Sequence, residues 1–174
     1  MSVDPATFRS VLSGVPTSVA IVTAVDGVEP CGMTIGSLGS LSVQPPLVLF
    51  CVAQTARAHA ALRAADRYCV SILADDQTAV VHRFVRHDTD RFRTGMFRMG
   101  GLPAVAGAAA WLLCTREELL PGGDHTIVVA RVEQAEDHSR SPLIYHRRSF
   151  QALTQQSRRA APASEGPARA LSGT

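Results

Sequence analysis

Four hydroxyl side chains, Thr34, Ser37, Ser40 and Ser42, crowd the segment CGMTIGSLGSLSVQPPL (31 to 47), interleaved with Gly32, Gly36 and Gly39. Glycines let a backbone approach a flat or phosphorylated ligand closely, and short hydroxyls supply hydrogen bonds at that distance. Composition alone leaves a flexible loop as the alternative. Other chemistries are excluded more firmly. The chain has no lysine, hence no Schiff base to pyridoxal phosphate, no Walker A lysine and no lysine nucleophile. It has no asparagine either, hence no N-glycosylation sequon.

No GxGxxG opens a helix, and HExxH, GxSxG and paired metal-ligand spacings are missing. No metal site is expected: His82 and His87, beside arginines at a helix end, read as solvated or structural groups. Arg83, Arg86, Arg91, Arg93 and Arg98 form a basic cluster that reads as a solvated face, with an anion contact as the other possibility. A formal charge of +2 and a charged fraction of 18% point to neither nucleic acid nor an anionic membrane as partner.

The 174 residues suffice for one domain with a real core. Cys31, Cys51, Cys69 and Cys114 form no CxxC pair, and the last three lie in apolar runs, which implies reduced thiols. No apolar stretch reaches the ~20 residues of a membrane span and no secretory segment opens the chain, so a soluble, cytoplasmic protein is expected.

The elements that must position the hydroxyl-rich segment follow from pattern. Asp4-Pro5 starts a helix with Phe8, Val11 and Leu12 on one face and a stop at Gly14. SVAIVTAV (18 to 25) is a β-branched strand that turns at Asp26-Gly27 into VEPCGMTI, where Pro30 implies an edge or a bulge. Residues 36 to 46 read as a loop and LVLFCV as a buried strand. TARAHAALRAAD has helical composition, YCVSILA reads as a strand, and Asp75 or Asp76 is the expected cap of a helix through QTAVVHRFV. Residues 87 to 103 read as irregular. The strands AAAWLLCTREELL and IVVARVEQAE flank the loop PGGDHT, and a last segment surrounds PLIYHRRSF. Six or seven strands against two or three short helices, without βαβ alternation, imply an antiparallel barrel or sandwich. QQSRRAAPASEGPARALSGT carries almost no large apolar side chain and reads as a disordered tail.

Six blocks in order, VPTSVAIVTA, GMT..S..S.S..PPL.LFCVA.TAR, RYCVSILADDQ, DRF, PGGDHTIVVARV and PLIY, resemble the flavin reductase family over about residues 8 to 153. The resemblance implies a mainly β fold, a flavin-binding split β-barrel, antiparallel and Greek-key, with a few short helices. It implies a domain over 1–154 followed by a tail over 155–174. It further implies a homodimeric NAD(P)H:flavin oxidoreductase that reduces FMN or FAD with NADH or NADPH and supplies reduced flavin to a flavin-dependent monooxygenase.

Carried over by position, Thr34, Ile35, Gly36 and Ser37, with Ser40 and Leu41, would line the isoalloxazine and ribityl chain. Thr55, Ala56 and Arg57 would meet the flavin phosphate at a helix start, where amides, dipole and guanidinium favour an anion. His125 would sit near the nicotinamide as the catalytic residue, with Arg148 and Phe150 in the same pocket. Asp124 could orient His125 only if a turn brings them together, since neighbours in an extended chain point apart. The chain departs from the family at Gly36 (Asn or Ser), Leu38 (Phe) and Ala56 (Ser). Two hydrogen bonds of about 0.5–1.5 kcal/mol each are thereby missing, which fits flavin held loosely and released.

Hydride passage between stacked rings needs orientation and no general base, so the missing triads do not count against an enzyme. A backbone donor from residues 34 to 42 would stabilise the reduced ring. Two other readings stay open: a flavin-binding accessory or electron carrier with a decayed nicotinamide site, and an oxidase of the related pyridoxamine phosphate oxidase-like barrel.

Overall fold

The computed structural model describes residues 2–86 and 90–153. Their elements are α1 (Pro5–Leu12), β1 (Thr17–Ser18), β2 (Ala20–Asp26), β3 (Glu29–Ile35), β4 (Gly39–Ser42), β5 (Leu47–Ala53), α2 (His59–Ala64), β6 (Arg67–Ile72), α3 (Thr78–Arg86), β7 (Met96–Met99), β8 (Leu102–Val105), β9 (Ala110–Gly122), β10 (His125–Asp137), β11 (Leu143–His146) and β12 (Ser149–Ala152). Every strand pairing is antiparallel, as expected. The main sheet runs β3-β2-β6-β9-β10-β5-β4, accompanied by a β1-β11-β12 sheet and the β7-β8 hairpin. It curls until β3 touches β5 without strand pairing between them. Ser37 reinforces this seam: its hydroxyl accepts a 2.9 Å hydrogen bond from the Cys51 amide, pinning the turn after β3 to β5.

The alternation along β2 explains how the sheet is clad on both sides. Ala20, Val22 and Ala24 face a core inside the curl with Phe50, Val52, Leu62, Tyr68 and Val128. Val19 and Ile21 belong to a second core with Leu73, Leu143 and the apolar stripe of α3, Val80, Val81 and Phe84. Trp111 packs at the second and third cores, and its indole N–H donates to the Val105 carbonyl at 2.8 Å. Cys69 and Cys114 are fully buried reduced thiols, which desolvation pushes up to about 11 and about 12.

Several local expectations need correction. The stretch 36 to 46 holds β4, because Gly39, Ser40 and Ser42 pair with the rim of β5. Within the stretch read as irregular, 87–89 lie outside the described residues, but 96–105 form the β7-β8 hairpin. Long-range bonds decide this: Thr23 Oγ1 reaches the Pro103 carbonyl, and the Val105 amide donates to Ser71 Oγ at 3.1 Å. Neither Asp75 nor Asp76 caps α3. Asp76 pairs instead with Arg140 at 2.6 Å, while Gln77 closes the turn by accepting from the Ala74 amide.

The first helix forms as read, with Asp4 Oδ1 accepting from the Ala6 and Thr7 amides. Its apolar face, however, is not buried within the chain: Phe8, Val11 and Leu12 are 53%, 66% and 47% exposed. Pro30 lies on β3, an edge strand, where a missing N–H costs no ladder bond. The expected tail, 155–174, lies outside the described residues.

Candidate functional site

Because β3 is an edge strand, no strand covers its outer side, and three adjoining cavities follow it. The first, about 270 Å³, lies among Thr34, Ile35, Gly36, Val85, Tyr145 and Phe150. Thr34 and Val85 also border the second, about 340 Å³, which extends over Met33 to Thr55, Ala56 and Arg57. Arg57 and Ala58 in turn border the third, about 240 Å³, which ends at Pro30, Cys31 and Arg91. The groove is apolar and aromatic at one end and cationic at the other.

Its apolar end is built by packing. Phe150 stands on β12 with its ring 5.2 Å from that of Tyr145 on β11 and edge-on to His82 of α3 at 6.1 Å. Val81 and Val85 are one helical turn apart and so face the cavity together. Thr34 stands where the first two cavities meet, and its buried hydroxyl has no hydrogen-bond partner. Such a group costs about 1–3 kcal/mol unless something satisfies it, which the polar edge of a bound ring system would do. Gly36 borders this cavity, and a Cβ there would press on the Thr17 hydroxyl at 3.2 Å.

At the cationic end, α2 starts at His59, later than the composition suggested. Residues before it form turns in which the Ala56 amide donates to the Ala53 carbonyl and the His59 amide to the Ala56 carbonyl, both at 2.9 Å. Less anion-binding capacity therefore comes from a helix start than expected, and Arg57, an exposed side chain, carries most of the attraction.

Thr34, Ile35, Gly36, Thr55, Ala56, Arg57 and Phe150 are thus brought to one groove. Four other expected residues are not among those that line it. Ser37 is engaged with the Cys51 backbone. Ser40 and Leu41 are exposed on β4, at the far end of the sheet order. Arg148 is exposed in the β11-β12 turn.

His125 also stands apart, at the start of β10 opposite Ala53 and Gly122. Gly123, with φ of 67°, supplies the turn that lets Asp124 Oδ1 reach His125 Nδ1 at 2.7 Å. The hydrogen bond from His125 and its charge hold the Asp124 carboxyl below the usual carboxylate range.

The turn bearing Arg148 is strained. Arg147 and Arg148 have φ of 47° and 64°, left-handed conformations that favour Gly or Asn in a two-residue hairpin. Arg148→Gly is expected to stabilise the fold by up to about 1 kcal/mol, read as a higher denaturation midpoint at unchanged m.

Sequence reasoning does not single out Tyr145, Val81 or Val85. The four-residue spacing of the two valines and the tyrosine of PLIY were available signals. Arg91 belongs to the basic cluster for which the sequence offers a solvated face or an anion contact, and it borders the third cavity.

The fold is an open antiparallel barrel whose apolar, aromatic cleft leads to arginine, a surface with the chemistry to suit a planar, anionic ligand. Its family is more specific. The family described as Flavin reductase like domain matches residues 12–154, and the chain belongs to it. It is 35% identical over 152 residues to the reductase subunit HsaB of a flavin-dependent monooxygenase from Rhodococcus jostii (strain RHA1), covering 86% of this chain and 78% of that protein. It is also 35% identical over 159 residues to an NADH:riboflavin 5'-phosphate oxidoreductase from Streptomyces pristinaespiralis, covering 88% and 90%. Among solved structures, the NADH:FAD oxidoreductase SgcE6 of Streptomyces globisporus, in complex with NAD and FAD fragments, superposes with a TM-score of 0.83 at 35% identity. That match covers 90% of this chain and 99% of the other. The fold is therefore the split β-barrel of the flavin reductases.

Proposed function

We propose that this chain is an NAD(P)H:flavin oxidoreductase that reduces FMN or FAD and supplies the reduced flavin to a partner monooxygenase, its unit of function being one domain over residues 1–154. The observation that carries this reading is the groove along β3, which joins the Tyr145–Phe150 cleft to Arg57 past the unpartnered Thr34 hydroxyl. Thr34, Ile35, Val85, Phe150 and Arg57 would hold a flavin in this groove, and the flavin would supply the acceptor for hydride from a nicotinamide dinucleotide.

The residues act by orientation. Val85, Ile35 and Phe150 offer apolar surface to a ring system and exclude water from its faces. Thr34 donates to, or accepts from, its polar edge, and Arg57 fixes the ribityl phosphate. Ser40 and Leu41, at the barrel rim, and Arg148 remain candidates for contact with the cofactor or the dinucleotide. His125, steadied by Asp124 at the start of β10 and outside the groove lining, is assigned to contact with the nicotinamide dinucleotide. His125→Ala is expected to raise the KM for NADH about tenfold, the loss of ~1.4 kcal/mol of binding, and to leave the KM for flavin unchanged in steady-state assays.

The exposed face of α1 supports a homodimer, since Phe8, Val11 and Leu12 present a contiguous apolar stripe to solvent. Light scattering at micromolar concentration tests this. No helix among the described residues is long and apolar enough to cross a membrane. The function itself is tested by NADH and NADPH oxidation with added FMN or FAD. Rates that saturate in flavin are expected, and no flavin-dependent oxidation in any of the four combinations would overturn the reading.

A further inference from the structure

The strand that carries His125 is fastened to the turn that carries Arg57 at two points beyond the β5–β10 ladder. β5 ends at Ala53, opposite His125. One residue later the Gln54 backbone amide donates to the Asp124 carbonyl at 3.0 Å, and the Gln54 side-chain amide donates to the Gly123 carbonyl at 3.2 Å. On the far side of the turn His59, the first residue of α2, places Nε2 2.9 Å from Thr126 Oγ1. Thr55, Ala56, Arg57 and Ala58 lie between these two anchors. The His59–Thr126 bond is partly buried and the Gln54 side-chain bond is exposed, so water competes less for the former. Neither His59 nor Thr126 lines any of the three cavities along β3.

We infer that His59 and Thr126 are a positioning pair for His125: their hydrogen bond sets the direction in which His125 presents its ring to the nicotinamide dinucleotide. The inference rests on the function proposed above and on the place given there to His125. Successive side chains on a strand point to opposite faces, so a bond that holds Thr126 on one face fixes the pleat that aims its neighbour on the other. The remaining side-chain contacts leave that aim open. Gln54 grips the loop at Gly123 and Asp124, before His125. The bond between Asp124 Oδ1 and His125 Nδ1 is exposed and joins two neighbours in the chain, so it fixes the ring relative to Asp124 and not relative to the barrel. Through α2 the pair also keeps His125 in a fixed relation to the turn assigned to the flavin phosphate. Hydride passage depends on such relations, since a displacement of about 1 Å can cost on the order of 10²-fold in rate.

Steady-state kinetics with NADH and FMN on single and paired variants test this, with melting temperatures measured beside them. Thr126→Val removes the hydroxyl at nearly constant shape and is expected to raise the KM for NADH about three- to fivefold, the order of one neutral hydrogen bond, with the KM for FMN within about twofold of wild type. Thr126→Ser, which keeps a hydroxyl, should behave as wild type. His59→Gln, whose side-chain amide stands in for Nε2, should recover most of the loss seen in His59→Phe. The decisive comparison is with His125→Ala: in that background Thr126→Val should raise the KM for NADH no further, because the ring it aims is gone. A bond that serves the fold alone would move both KM values and the melting temperature, and its effect would add to that of His125→Ala. That additivity would overturn the inference and leave the proposed function standing, as would an unchanged KM for NADH in Thr126→Val beside an impaired His125→Ala. An unchanged KM for NADH in His125→Ala itself would overturn the role of His125 and the inference with it. Absence of flavin-dependent oxidation in the wild type would overturn the proposed function as a whole.

Discussion

Arg57→Ala is expected to raise the KM for FMN about 10- to 100-fold with kcat changed only a few-fold. The reason is local. Arg57 is the cation that borders the second cavity, and the neighbouring amides of Ala56 and His59 are committed to backbone carbonyls. No helix dipole of useful length stands in for it, since α2 has six residues. Removing a charge-assisted hydrogen bond to phosphate costs about 1.5–3 kcal/mol, which gives the range above. The contact is distant from the reacting ring, so the loss is one of uniform binding and appears in KM. Riboflavin, which lacks the phosphate, is the control: its KM should not move. Arg57→Lys should restore only part of the affinity, because an ammonium keeps the charge and loses the planar fork. A riboflavin KM that rises as much as that of FMN would show that Arg57 acts on the fold of the turn and not on the phosphate.

The second large effect is on stability. Phe50 is fully buried on β5, its ring edge-on to Tyr68 at 5.4 Å, in the core inside the curl. The Tyr68 hydroxyl reaches the Leu62 and Ala65 carbonyls at 2.9 and 3.0 Å, so this pair also anchors the C-terminal end of α2. Burial pushes the Tyr68 phenol up to about 12, leaving it protonated and able to donate at any working pH. Phe50→Ala opens a cavity at that junction and is expected to cost about 3–5 kcal/mol. The melting temperature should fall by roughly 10–15 °C. Phe50→Leu, which fills much of the space, should cost less than half as much. A loss below ~1 kcal/mol for the alanine variant would mean that the curl collapses onto the space and that the barrel interior is not close-packed.

Much of the frame was legible because it depends on local chemistry. The Asp4 cap, the β-branched run of β2, the turn after Asp26 and the edge position of Pro30 each follow from side-chain geometry or backbone sterics over a few residues. The core was legible for the same reason, since Leu47–Ala53 and Arg67–Ile72 carry apolar side chains at the spacing of strands buried in a sheet. Within the site, order along the chain sufficed to bring forward Thr34, Gly36, Arg57 and Phe150, which the fold then gathers from β3, the turn before α2 and β12.

What escaped was set by partners far away in sequence. The hairpin β7-β8 looks irregular from its own residues, yet Thr23 and Ser71 hold it to the main sheet through carbonyl and amide groups of Pro103 and Val105. Asp76 has the composition of a cap, but Arg140 stands close enough to take its carboxylate. Ser37 belongs by type to the hydroxyl-rich segment, and the curl of the sheet delivers the Cys51 amide to it first. Arg91 looks like one of several surface arginines until the packing of Phe92 on Phe84 sets it at the end of the groove.

The sequence by itself determined the class of fold, the family and the residue types able to meet a flavin and its phosphate. Periodicity, turn chemistry and block order are encoded in neighbours along the chain, so they can be read there. Only the tertiary structure decided which of those groups are free to act. A hydroxyl or a guanidinium is available to a ligand when no protein group satisfies it first, and that competition is settled by residues brought together in space. Thr34 keeps an unpartnered hydroxyl and Ser37 does not, although they stand three residues apart on the same segment.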